Sequence, residues 1–126
     1  MGFWIFMMVT VLLIPLSMMI FGKMFSKAAP AKINSLFGYR SAMSMKNEET
    51  WKYAHTYFGR MWYVAGLIAL FPSIVAMLFV LGKEKDTVGY AGMILCLVQM
   101  LLLFIPILFT EAALKKEFDK DGRRIL

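Results

Sequence analysis

Three stretches of this chain contain no Asp, Glu, Lys or Arg: Met1 to Gly22, Met61 to Gly82 and Thr87 to Thr110, of 22, 22 and 24 residues. An α-helix rises about 1.5 Å per residue and the hydrocarbon core of a bilayer is roughly 30 Å thick, so about 20 apolar residues cross it. Each window is long enough. Hydrophobic residues make up 60% of the chain, against roughly 45–50% in soluble domains. The expected fold class is therefore an all-α integral membrane protein, one membrane domain over residues 1–126, with spans at about 3–22, 61–82 and 88–110. The small residues of "SKAAPA" follow the first window, but that window begins uncharged and exceeds the roughly 7–15 apolar residues of a signal peptide. It is read as a span.

Positive residues near span ends favour the cytoplasmic side. The first connection, residues 23–60, carries Lys23, Lys27, Lys32, Arg40, Lys46, Lys52 and Arg60 against Glu48 and Glu49. The second, "KEKD" at Lys83 to Asp86, is balanced, and the tail at 111–126 holds five positive residues against four acids. The expectation is an N-terminus outside and a cytoplasmic loop and tail. Topology and attraction to anionic membrane lipids account for the net charge of +6 without nucleic acid as a partner.

Within the spans, Pro15, Pro72 and Pro106 each remove a backbone donor, which membrane helices tolerate when neighbours compensate. Ala65, Ala69, Ser73 and Ala76 form a small-residue stripe on the second span, with a candidate counterpart in Gly89, Gly92, Cys96 and Gln99 on the third. Lipid gives helices no hydrophobic drive to associate, so close backbone approach has to supply it. These faces are expected to meet each other or to pair with a second copy, which makes a homodimer compatible with the sequence. Gln99 is the strongly polar side chain deep in a span, and its amide is expected to bond to a neighbouring helix. The 12 methionines are scattered, which suits flexible apolar filling better than a Cu(I) site. Cys96 sits in the third span and has no second cysteine to pair with.

The polar chemistry concentrates in "INSLFGYRSAMSMKNEETWKYAHTYFGR", residues 33 to 60. Gly38 permits a tight backbone path, and a turn is expected at 37–41. Asn47 is suited to cap a helix whose first turn holds Glu48 and Glu49. From there Trp51, Ala54, His55, Phe58 and Trp62 recur along one face while Lys52, Thr56 and Gly59 point elsewhere. The pattern predicts an amphipathic helix lying in the cytoplasmic headgroup layer, with Gly59 and Arg60 turning the chain into the second span. Interfacial anchoring explains the aromatics and lysines. It explains less well the directed donors of Asn34, Tyr39, Arg40, Ser41 and Ser44.

The order Asn34, Gly38-Tyr39-Arg40-Ser41, Ser44-Met45, Asn47, Trp51 and Ala54, followed by two hydrophobic spans, resembles the SdpI family. These are bacterial membrane proteins named for an immunity protein against a secreted toxic peptide. The resemblance covers roughly residues 10 to 110; Ser41 stands where the family usually has Thr. It implies a bacterial cell membrane location and protection against a membrane-active peptide. The founding member carries extra spans and is believed also to hold a transcriptional repressor at the membrane, whereas this chain matches only the minimal three-span module.

Three function classes follow. A non-enzymatic immunity or envelope-protection protein would bind a toxic peptide or its partner, or a cytoplasmic regulator, with Arg40 offering forked donors to a carboxylate or phosphate. The candidate binding residues are Asn34, Gly38, Tyr39, Arg40, Ser41, Ser44, Met45, Asn47, Trp51, Ala54 and His55, which serve equally well as a structural latch. A small oligomeric transporter or channel lacks the ionisable intramembrane residue that coupled transport usually needs. A membrane enzyme would have to use Arg40, Tyr39 and His55, because no known catalytic spacing is present. No catalytic residue, metal or cofactor is expected.

Overall fold

The computed structural model describes residues 2–30, 33 and 38–125 and contains three helices: α1 (Gly2–Lys27), α2 (Glu48–Phe79) and α3 (Lys85–Glu117). All three are long and apolar enough to cross a membrane. At 26, 32 and 33 residues they measure about 40–50 Å, longer than a hydrocarbon core of roughly 30 Å. Each therefore runs past its uncharged window. Residues 80–84 turn α2 back into α3 as an antiparallel hairpin, with Gly82 at φ +82°.

The amphipathic segment at 48–60 is not a separate interfacial helix. It is the first part of α2, continuous with the second span. Gly59 does not turn the chain; it is buried against α1. A Cβ on Gly59 would lie 2.5 Å from the Ser26 nitrogen and 2.6 Å from the Gly22 oxygen, and one on Gly22 would lie 2.6 Å from the Tyr63 nitrogen. The two glycines thus let α1 and α2 touch backbone to backbone, and neither can carry a side chain without moving a helix. Consequently α2 keeps its direction through Gly59 and the aromatic face beyond it packs on protein.

The faces singled out on α2 and α3 do meet, at their polar members. The Gln99 amide donates to Ser73 Oγ at 2.9 Å and to the Val11 carbonyl at 2.9 Å. Val11 lies four residues before Pro15, whose missing N–H leaves that carbonyl without its helical donor. Gln99 supplies the donor from another helix, so one residue stitches all three together. Ser73 in turn donates to Ala69. Polar Ser73, Gln99 and Thr110 are buried while Ile20, Ile68, Phe71, Leu101 and Leu108 are exposed. That distribution suits a molecule whose solvent is lipid.

Two apolar clusters occupy opposite ends of the bundle. Val11, Met77 and Val88 form one, backed by Trp4, Met7 and Met8, and Trp4 donates its indole N–H to the Met77 carbonyl at 2.8 Å. Tyr39, Ala54, Phe58, Leu114 and Phe118 form the other. The loop between α1 and α2 and the residues after α3 share this second end.

Candidate functional site

The second cluster is organised around His55, which is fully buried. Its Nδ1 lies 2.8 Å from the Trp51 carbonyl, a group that can only accept. Nδ1 therefore carries the proton, and Nε2 accepts the Tyr39 backbone N–H at 2.8 Å. Both ring nitrogens are committed. Burial holds the imidazole below its ordinary pKa of 6.5, although the Trp51 carbonyl favours the charged form. A second ring proton would meet the Tyr39 N–H, donor against donor.

Gly38 makes this contact possible. It adopts φ +99°, and a Cβ there would lie 2.5 Å from His55 Nε2 and 3.1 Å from Pro30 Cγ. The next side chain turns inward: the Tyr39 ring packs tilted against Phe58 with centroids 4.7 Å apart, and its hydroxyl donates to Glu111 Oε2 at 2.5 Å. Burial, and then the Glu111 carboxylate that accepts its proton, push the phenol far above the usual tyrosine range. Tyr39 thereby ties the loop to α3 as His55 ties it to α2.

The following turn spans 42–45, slightly later than expected from Gly38. Ser41 and Ser44 pair reciprocally across it. The Ser41 N–H donates to Ser44 Oγ at 2.9 Å and the Ser44 N–H to Ser41 Oγ at 3.1 Å. Met45 is half-buried and its N–H donates to the Ser41 carbonyl at 3.1 Å. Asn47 caps α2 as its sequence predicts, accepting from the Thr50 N–H at 2.9 Å, while Thr50 Oγ1 accepts from the Asn47 N–H at 3.1 Å. Trp51 donates to the Pro30 carbonyl at 2.9 Å, fixing the chain that leaves α1. Ala54 is completely buried beneath Tyr39 and Phe58. Asn34 lies outside the described residues.

The residues after α3 close the cluster, which nothing in the loop foretold. Phe118 and Leu114 are buried in it, and the chain then reverses with Gly122 at φ +83°. Asn47 donates its amide to the Gly122 carbonyl at 2.7 Å, so one side chain caps α2 and holds the tail. Arg124 pairs with Glu49 at 2.8 Å and with Glu117 at 3.1 Å. These pairs are exposed, and such pairs are worth only about 0–1 kcal/mol. Burying one Phe contributes about 1.5–3 kcal/mol, so Phe118 does more to hold the tail than its charges do. The signal that could have found it is the spacing of Leu114 and Phe118, one helical turn apart and beyond the uncharged window.

Among the described motif residues, Arg40 is the exposed one. It lines a cleft of about 410 Å³ together with the apolar Phe21, Phe25, Phe58, Trp62 and Ile107 and with its loop neighbours Tyr39 and Ser41. Trp62 is held in the wall by its indole N–H on the Leu103 carbonyl at 3.2 Å. The cleft draws on all three helices and the loop. Its chemistry is an aromatic floor with a forked cation at the edge, suited to an amphiphile with a carboxylate or phosphate.

A bundle of three helices able to cross a membrane, closed at one end by a hydrogen-bonded loop with Arg40 at a cleft, defines a multi-pass membrane protein. The chain belongs to the SdpI/YfhL protein family, whose model matches residues 31–110. The match includes every candidate loop residue. It leaves out α1, which supplies Phe21 and Phe25 to the cleft, and Glu111, Leu114 and Phe118, which complete the latch. No curated protein and no solved structure matches the chain.

Proposed function

We propose that this chain is a non-enzymatic immunity protein of the bacterial cell membrane that holds a membrane-active toxic peptide, or a partner that peptide needs, at the Arg40 cleft. The observation that carries this reading is the position of Arg40 in the cleft. Exposed Arg40 shares that cleft with an apolar lining drawn from all three helices, and the bonds of Tyr39, Ser41, Ser44, Asn47 and His55 fix the loop on either side of it. The latch and the binding site are thus two parts of one arrangement: the latch presents the cation. An enzymatic role is less well supported, because His55 has both nitrogens engaged and offers no base.

The test is survival. A sensitive bacterium expressing the chain is challenged with the secreted peptide encoded nearest to its gene. We expect Arg40→Ala to lose protection at equal protein level and Lys115→Ala, an exposed cation that does not line the cleft, to retain it. Equal survival of the two variants returns the cleft to a packing defect. Peptide-independent ion flux in proteoliposomes would favour the channel reading instead.

The same proposal places the loop and tail in the cytoplasm. The loop and tail share one end of the bundle and the 80–84 turn occupies the other, and the excess of Lys and Arg lies at the loop end. In an otherwise cysteine-free chain, Lys85→Cys should react with an impermeant maleimide on intact cells and Lys46→Cys only after lysis. The reverse pattern refutes the orientation.

A further inference from the structure

On the other face of the α1 end lies a second cleft that the Arg40 reading does not use. It measures about 490 Å³ and is lined by Lys23, Ser26 and Lys27 from α1 and by Arg60, Tyr63 and Val64 from α2. Three cations converge here because of the Gly22–Gly59 contact. Backbone-to-backbone approach brings the residues that flank each glycine closer than side-chain packing would allow. Among the described residues, none of the three cations pairs with a carboxylate; the ion pairs there belong to Arg124. Lys23 and Lys27 are moreover four apart on one helix, where like charges repel. The cleft thus holds uncompensated positive charge on rigid supports.

Its surroundings identify the anion it suits. Toward the middle of the bundle the same outer faces continue as Ile20 on α1 and Val64 and Ile68 on α2, which are 65%, 52% and 60% exposed. A soluble anion would use the cations and ignore this apolar track. A diacyl anionic phospholipid would use both, phosphate among the three cations and acyl chains along Ile20, Val64 and Ile68. Ser26 already donates its hydroxyl to the Lys23 carbonyl at 2.9 Å, which leaves its oxygen as an acceptor and the cations as the donors for phosphate. We infer that the Lys23–Lys27–Arg60 cleft is a binding site for one anionic phospholipid, held between α1 and α2 where the two backbones touch.

Three arms of native mass spectrometry on the full chain in detergent test this. The purified chain is titrated with phosphatidylglycerol, with phosphatidylcholine and with inorganic phosphate, and bound adducts and melting temperature are recorded. The expected result is one retained phosphatidylglycerol per chain, with stabilisation, and neither from the other two. Lys23→Gln/Lys27→Gln/Arg60→Gln should weaken retention by about tenfold or more, since each basic group near an anionic surface contributes roughly a factor of five. Lys115→Gln/Lys116→Gln/Lys120→Gln removes the same charge from the same end, away from the cleft, and should leave retention unchanged. Equal losses in the two triple variants would mean diffuse surface attraction and overturn the site. Equal binding of phosphatidylcholine, or equal stabilisation by phosphate, would overturn the lipid assignment. The lipid titration needs no toxin, so its failure leaves the Arg40 proposal standing.

Discussion

Replacing Gly38 by alanine tests whether the loop is held against His55 as tightly as the geometry says. The new methyl group carries two separable costs. A non-glycine residue in the left-handed region costs about 1–2 kcal/mol, and φ at this position is +99°. The Cβ would also lie 2.5 Å from His55 Nε2 and 3.1 Å from Pro30 Cγ. Relief of that contact means moving the ring or the loop, and either lengthens the Tyr39 N–H bond to Nε2. A hydrogen bond lost with its partners still buried costs about 1–3 kcal/mol. The two costs together come to about 2–5 kcal/mol, which is roughly 30- to several-thousand-fold in the population of the opened loop. Tryptic cleavage after Arg40 in micelles reads that population when closing is faster than cutting. His55→Ala removes the obstructing ring, so in that background Gly38→Ala should retain only the backbone cost of about 1–2 kcal/mol. Simple additivity of the two substitutions would refute the reasoning, because it would mean that the Gly38 Cβ and the imidazole do not compete for the same space.

Two further expectations concern the same scaffold. Because burial holds His55 below 6.5, the unfolded chain takes up the proton first as the solution acidifies. The contribution of His55 is complete above about pH 6.5 and drains away as pH falls toward its lowered folded value. The melting temperature should therefore drop from pH 7.5 to pH 5.5, and by less in His55→Ala; an equal drop assigns the effect to other groups. Gln99→Leu should cost about 0.6–2 kcal/mol in the wild-type background and clearly less with Pro15→Ala, because residue 15 then regains an N–H for the Val11 carbonyl. Denaturation in mixed micelles measures both, and an unchanged cost in the double variant would show that the proline is not the reason the glutamine is there.

Charge-free windows made the three helices legible, since only their length and the cost of unpaired backbone in lipid were at issue. Helix ends were less legible. Lys23 to Lys27 and Glu111 to Glu117 are polar enough to suggest connections, yet they continue the helices because the bundle packs on beyond the apolar windows. The 48–60 segment showed its buried face correctly through Trp51, Ala54, His55 and Phe58. What covers that face was not readable, because Phe118 and Glu111 lie more than fifty residues away in sequence and no local pattern announces a long-range partner. Gly59 invited the interpretation of a turn for a similar reason: glycine permits both a bend and a close approach, and only the position of Gly22 on another helix decides between them. The loop motif stood out by its density of donors, but density does not distinguish bonds made within the protein from bonds offered outside it. Burial separates them in part: Ser44 and His55 are buried, Ser41 and Asn47 half-buried, and Arg40 is exposed at a cleft.

The hold that Asn47 keeps on Gly122 reaches across 75 positions, and Phe118 lies nearly as far along. During synthesis, then, the loop emerges long before the side chains that shut it are made. Until α3 has been threaded into the bilayer, the Tyr39 hydroxyl has no carboxylate and the aromatic cluster no lid. Assembly of this end is accordingly a late event, and a chain stalled after its second helix would display an unclosed loop to the cell's proteases.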